Sequence, residues 1–110
     1  MKDTPLTCDD DAVDLSTVPQ GAVLRVMTII NQRGLHARAS AKFVQTVEKF
    51  DAEVRVSRCG ETVGGTSIMG LMMLAAGPGT TITVVAFGPE AEQAIAAIEA
   101  LINRRFDEDD

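Results

Sequence analysis

The chain has no tryptophan and no tyrosine, and only one histidine and two cysteines among its 110 residues. Each scarcity removes a class of function. With four phenylalanines as the only aromatics, there is no set of rings on which bases could stack, so nucleic acid is not the expected partner. Cys8 and Cys59 make no paired metal-ligand spacing, so neither a zinc site nor a structural disulfide is expected, and no metal or cofactor is implied. No uninterrupted apolar stretch approaches the roughly 20 residues of a membrane span. The N-terminal residues lack the hydrophobic region of a signal peptide; Leu6-Thr7-Cys8 is faintly similar to a lipoprotein cleavage box, but no apolar run precedes it. The expectation is a cytoplasmic protein that does not engage a membrane.

What is present suits one small domain. Hydrophobic residues make up 45% of the chain, enough for a single core. Residues 1–20, with Cys8-Asp9-Asp10-Asp11 and prolines at 5 and 19, have no apolar periodicity and read as a disordered acidic arm. Residues 21–106 read as the folded domain and 107–110 as an acidic C-terminal tail. The formal net charge is -6, yet the arm and the tail are more acidic than that together, which leaves the domain slightly basic. Arg33, Arg38, Lys42 and Lys49 lie near the histidine or on the outward face of the helix that follows it. Such a face is often merely solvated; beside an anionic site it would steer an acidic protein partner.

The stretch with chemistry is Asn31-Gln32-Arg33-Gly34-Leu35-His36-Ala37-Arg38-Ala39-Ser40. Residues 23–30 form a β-branched apolar run that predicts a strand, and Ser40, Phe43, Val44 and Val47 recur at helical spacing. His36 therefore stands at a strand-to-helix junction. There the first amides, those of Ala37 and Arg38, have no intrahelical acceptor and carry the positive end of the helix dipole. Gly34 supplies the backbone freedom for a tight approach, and Arg38 adds a cation with several donors. An anion on the imidazole would meet a cradle suited to a phosphoryl group.

Further along, residues 52–57 alternate as a strand, Arg58-Cys59-Gly60-Glu61 forms a hairpin turn, and Thr62-Val63 returns. Gly64-Gly65 before Thr66-Ser67 lacks the Gly-Lys-Ser/Thr of a nucleotide loop and reads as a turn. Ser67 is the expected N-cap of a short helix over residues 68–73. That helix is too uniformly apolar to bury every side chain. If Leu71 and Leu74 face the core, then Ile68, Met69 and Met72 form an exposed patch suited to docking differently shaped partners. Gly77-Pro78-Gly79 breaks the chain before a last strand over residues 80–87. Gly88-Pro89-Glu90 then opens a helix with Ala91, Ala94, Ile95, Ile98, Leu101 and Ile102 on its apolar face. Glu90 and Glu92 favour its start, and Arg104 and Arg105 its end.

The run Gly34-Leu35-His36-Ala37-Arg38 closely resembles the active-site signature of the histidine-containing phosphocarrier (HPr) family of the bacterial phosphoenolpyruvate-dependent phosphotransferase system. Ser67-Ile68-Met69-Gly70 resembles that family's regulatory-serine segment at the family's distance from the histidine, and the resemblance covers about residues 22 to 105. One departure is Ala39, where the family usually has proline; alanine preserves the first helical turn. The element order is βαββαβα, an α+β class. The resemblance implies a two-layer open-faced β-sandwich, with a four-stranded antiparallel sheet in the order 1-4-2-3 covered on one face by helices. Pattern alone leaves a ferredoxin-like ligand-binding module as the other arrangement. The resemblance implies that His36, through Nδ1, accepts a phosphoryl group from Enzyme I and passes it to an enzyme IIA domain, with Arg38 stabilising the group. It also implies regulatory phosphorylation at Ser67 by an HPr serine kinase/phosphorylase, and a monomer. The rival is a non-catalytic regulatory module acting through the Ile68, Met69 and Met72 surface, with His36 incidental.

Overall fold

Two hydrophobic periods alternate along the chain, and each becomes the element its period dictates. The computed structural model describes Val18, Pro19 and residues 21–108, so nearly all of the predicted acidic arm lies outside the described residues. The order is β1 (Val23–Thr28), α1 (Ala37–Val47), β2 (Glu53–Arg58), β3 (Glu61–Gly64), α2 (Ile68–Met73), β4 (Thr81–Phe87) and α3 (Ala91–Asn103), followed by a 3-10 turn at Arg105–Asp107.

The strands form one antiparallel sheet in the order β1-β4-β2-β3, the order the resemblance implied. β4 lies in the middle, pairing Met27 with Ile82 on one side and Val56 with Val84 on the other. Because strand side chains alternate, Val54, Val56, Ile82, Val84 and Ala86 point to one face. There they meet Phe43, Val44 and Val47 of α1 and Ala94, Ile95, Ile98, Leu101 and Ile102 of α3 in one buried cluster. No helix among the described residues covers the opposite face, and Leu24 and Val26 of β1 are exposed on it. Burial of each large core side chain contributes about 1.5–3 kcal/mol. Every apolar position expected on the last helix is buried, because a 3.6-residue period leaves that stripe no other surface to cover.

β1 stops at Thr28, two residues short of the predicted strand. The pairing persists briefly, as the Ile29 amide donates to the Thr80 carbonyl at 2.8 Å and the Gly79 amide to the Ile29 carbonyl at 2.7 Å. Fully buried Ile29 then draws the chain inward, towards the loop that carries the histidine.

Two expectations need correction. Cys59, at the tip of the β2–β3 hairpin, is disulfide-bonded, whereas the cysteine spacing predicted no disulfide. The exposed hairpin tip leaves the Cys59 sulfur at the surface, where a bond does not disturb the core, and sequence spacing cannot register that. Cys8, the other cysteine of the sequence, lies outside the described residues. The second concerns the acidic tail, whose first residues are not separate from the domain. Arg105, Phe106 and Asp107 all have positive φ, between 55° and 61°, and this reversal inserts Phe106 into the core at 1% exposure. Ordinary side chains pay for that backbone region, and burial of a phenylalanine offsets the cost.

Candidate functional site

The loop between β1 and α1 is braced from inside. Fully buried Asn31 donates from Nδ2 to the Gly34 carbonyl at 2.8 Å, and the Gly34 amide returns to the Asn31 carbonyl at 3.2 Å. Gly34 has φ +65°, and a Cβ placed there would lie 2.3 Å from the Ala76 carbonyl oxygen. Only glycine fits both the dihedral and the approach. The next amide, that of Leu35, donates to the same carbonyl at 3.0 Å, so the loop is laid directly against the segment after α2.

That geometry delivers His36 to the start of α1, where it is itself the N-cap. Its backbone is extended (φ -78°, ψ -174°), and its Nδ1 accepts the Arg38 amide at 3.3 Å. A serine or aspartate usually fills this role. The first bond of the helix runs from the Ser40 amide to the His36 carbonyl at 2.8 Å, and Ser40 Oγ donates to the Leu35 carbonyl at 3.2 Å. Since the ladder starts only at Ser40, Ala39 leaves the first turn undisturbed, as expected of a residue replacing proline there. Ala37 and Arg38 are exposed, and the guanidinium of Arg38 has no partner among the described residues.

The other edge of the ring faces inward. Nε2 lies 2.5 Å from Oε2 of Glu108, and the same oxygen accepts Asn31 Nδ2 at 3.1 Å. Burial pushes the Glu108 carboxyl up, but the hydrogen bonds from His36 and Asn31 and the charges of His36 and Arg33 outweigh it and hold the group below the usual glutamate range. Lys42 Nζ donates to the Phe106 carbonyl at 2.9 Å and lies 3.8 Å from Asp107. An open cleft of about 300 Å³ runs between Gln32 and Arg33, the start of α1 and the C-terminal turn, with His36, Arg38 and Lys42 on its walls.

The expected site residues are therefore only partly gathered. His36, the amides of Ala37 and Arg38, and the Arg38 side chain share the cleft. Lys42 borders it, yet is tied to the C-terminal turn rather than free on the helix surface. Lys49 is exposed but lies just past the far end of α1, about 20 Å along the helix axis from the histidine. Ser67 caps α2, accepting the Gly70 amide at 2.9 Å. Leu71 and Leu74 are buried, while Ile68, Met69 and Met72 are exposed as expected, Met69 at 68%. Met73, at 71% exposed, extends that patch and was not singled out, since helical spacing alone does not separate it from Met72.

Sequence reading missed Glu108 and Asn31. The available signal was Phe106, four residues beyond Ile102 on the same apolar stripe: its burial forces the acidic residues after it to turn back towards the start of α1. Among the described residues no group of histidine, cysteine and carboxylate side chains could hold a metal ion, and no helix is long and apolar enough to cross a membrane.

Comparison with known proteins gives the family. Residues 23–104 match the family model described as the PTS HPr component phosphorylation site. The chain is similar to the phosphocarrier protein HPr of Cupriavidus necator, 52% identical over 84 residues that cover 76% of this chain and 94% of that protein. It is also similar to the phosphocarrier protein NPr of Shewanella violacea, 42% identical over 84 residues covering 76% and 92%. Among solved structures, HPr-C-His from Thermoanaerobacter tengcongensis superposes with a TM-score of 0.75 at 38% identity, covering 79% of this chain and 98% of that one. HPr from Bacillus anthracis superposes at 0.73 and 37% identity, covering 76% and 99%. A lone histidine capping the helix that follows the first strand, in a 1-4-2-3 sheet, together with a family match over most of the length, means that this chain belongs to the HPr family of phosphotransferase-system phosphocarriers.

Proposed function

We propose that the protein carries a phosphoryl group on His36, taking it from a phosphohistidine of Enzyme I charged by phosphoenolpyruvate and passing it to a histidine of an enzyme IIA domain. The observation that carries this reading is the orientation of His36, whose Nδ1 faces the exposed start of α1 while Nε2 is engaged inside. The lone pair of Nδ1 attacks phosphorus in line with the departing donor histidine, whose nitrogen recovers the electron pair of the broken P–N bond. No proton need move. The Arg38 amide, now 3.3 Å from Nδ1, and that of Ala37 are placed to donate to the oxygens of the incoming group, and Arg38 adds charge that a fixed dipole cannot. The test is incubation with purified Enzyme I and labelled phosphoenolpyruvate, followed by addition of an enzyme IIA domain. Acid-labile label that moves from this chain to the acceptor is the expected result. If no label enters the chain, the non-catalytic docking module remains.

Arg38→Ala should fold normally, since the side chain makes no hydrogen bond or ion pair among the described residues. Its transfer rate from Enzyme I should fall by about tenfold or more, the scale of losing one preorganised donor at a charge-bearing transition state. Rapid-quench kinetics at saturating carrier measure this, and a wild-type rate removes Arg38 from the cradle.

Partner docking, in this reading, uses the exposed apolar face of α2, namely Ile68, Met69 and Met72, with support from the basic rim of the cleft. Ser67 is proposed as the regulatory phosphorylation site, acted on by an HPr serine kinase/phosphorylase in the cytoplasm, and the carrier works as a monomer. A phosphate at Ser67 adds about -1.5 to -2 charges at a helix start, which the fold tolerates, and sets them beside the docking face. The single charge of Ser67→Asp should raise the Michaelis constant for Enzyme I by about tenfold or more through like-charge approach. Ser67→Ala should transfer normally and lose about 1 kcal/mol of stability with its cap. An unchanged Michaelis constant in the aspartate variant would leave Ser67 as a structural cap.

A further inference from the structure

We propose that Glu108 is a positioning residue for phosphoryl transfer, its carboxylate keeping the proton of His36 on Nε2 and so leaving Nδ1 as the nucleophilic edge. The inference rests on the reading of His36 as the phosphoryl acceptor and adds a device to it. A neutral imidazole has two tautomers, and only the one with its proton on Nε2 offers a lone pair at the outward Nδ1. Two contacts favour that tautomer, and the selection needs both. The Arg38 amide, a donor, faces Nδ1 at 3.3 Å, and the Glu108 carboxylate, an acceptor, faces Nε2 at 2.5 Å.

The carboxylate is held through one oxygen, while its Oε1 is buried with no partner among the described residues. Its Oε2 accepts Asn31 Nδ2 at 3.1 Å, and that same Asn31 braces the carbonyl of Gly34 at the head of the loop. The Glu108 amide donates to the Arg105 carbonyl at 3.0 Å. Two residues earlier, Phe106 is seated in the core and its carbonyl accepts Lys42 Nζ at 2.9 Å. Arg104 pairs with Asp107 at 3.0 Å across the turn. Three consecutive residues in the left-handed region are expensive for ordinary side chains, and the arrangement they produce brings a carboxylate whose side chain is 11% exposed against a histidine that is 26% exposed.

The step balances without a proton acceptor. As Nδ1 bonds to phosphorus, the bond to the donor nitrogen breaks and its electron pair returns to the donor ring. His36 keeps its Nε2 proton and becomes a cationic phosphoimidazole, which lies between the phosphoryl oxygens and Glu108. When the group leaves for the next histidine, the ring returns to the neutral Nε2–H form with the proton still in place. The carboxylate therefore serves both directions of transfer.

The experiment combines long-range proton–nitrogen NMR of the His36 ring, at alkaline pH, with single-turnover transfer from phosphorylated Enzyme I, on the full chain. Wild type should show one protonated nitrogen at Nε2 and one lone-pair nitrogen at Nδ1. Glu108→Ala should show ring nitrogens shifted towards the tautomer average and transfer slower by about tenfold or more, while Glu108→Gln, which still offers an oxygen acceptor, should recover part of both. Phe106 remains seated in both variants, so their melting curves serve as the control for folding. Unchanged ring nitrogens in Glu108→Ala would overturn the proposal, and so would slower transfer with the tautomer intact, because Glu108 would then act elsewhere. Failure of wild type to accept label from Enzyme I would instead overturn the carrier reading, and the ring spectra would still decide whether Glu108 selects the tautomer.

Discussion

His36→Ala is expected to abolish acid-labile phosphorylation by Enzyme I while leaving the fold in place. The chain has no second imidazole to take over. The structural cost is bounded by what His36 contributes: one weak cap bond to the Arg38 amide and one bond to Glu108, which Asn31 continues to satisfy. Losing a cap and one hydrogen bond of this kind costs about 1–2 kcal/mol, or a melting temperature lower by roughly 5–15 °C for a domain of this size. Circular dichroism of wild-type shape with no incorporated label is the expected pair of results. Label at wild-type level on the alanine variant would show that the acceptor is elsewhere.

Gly34→Ala should produce the largest loss of stability of any single methyl addition near the site. The added Cβ would sit 2.3 Å from the Ala76 carbonyl oxygen and 2.9 Å from the Gly77 Cα, both backbone atoms that cannot rotate away. Relief requires the loop to lift, which breaks the bond from the Leu35 amide to the same carbonyl and disturbs the contact between Asn31 and the Gly34 carbonyl. The unfavourable dihedral adds to this, for a total of about 2–4 kcal/mol. Chemical denaturation measures it directly. Gly79→Ala separates the two causes, because Gly79 has φ +87° but nothing within 4 Å of the added atom, so it should cost about 1 kcal/mol through the dihedral alone. Transfer from Enzyme I should fall in the Gly34 variant even where it is fully folded, since lifting the loop moves the His36 cap off the helix start. Equal stabilities for the two variants would show that the close approach to residue 76 is not what demands glycine.

Which parts of this molecule are written locally follows from the range of the forces involved. The strands and helices were legible because hydrophobic period is a local property. The apolar stripe of α3 and the alternation in β2 and β4 commit those segments whatever surrounds them. The cap at Ser67 and the placement of His36 at a helix start were legible for the same reason, since a cap acts over three residues. The order of the sheet came from resemblance rather than from pattern, because strand pairing joins residues far apart in sequence and alternation alone fits more than one order.

Only the tertiary structure decided what surrounds the ring. A charge run such as Asp107-Glu108-Asp109-Asp110 has no period and reads as solvated, yet the core closes over Phe106 and the reversal at Arg105–Asp107 carries Glu108 back to His36, 72 residues earlier in the chain. Asn31 likewise looks like an ordinary turn residue until burial makes its donors the link between the loop and the carboxylate. Sequence determined that one imidazole would stand at the head of a helix. The carboxylate at its inner nitrogen is one that no local rule connects to it, because that contact exists only once the core has formed.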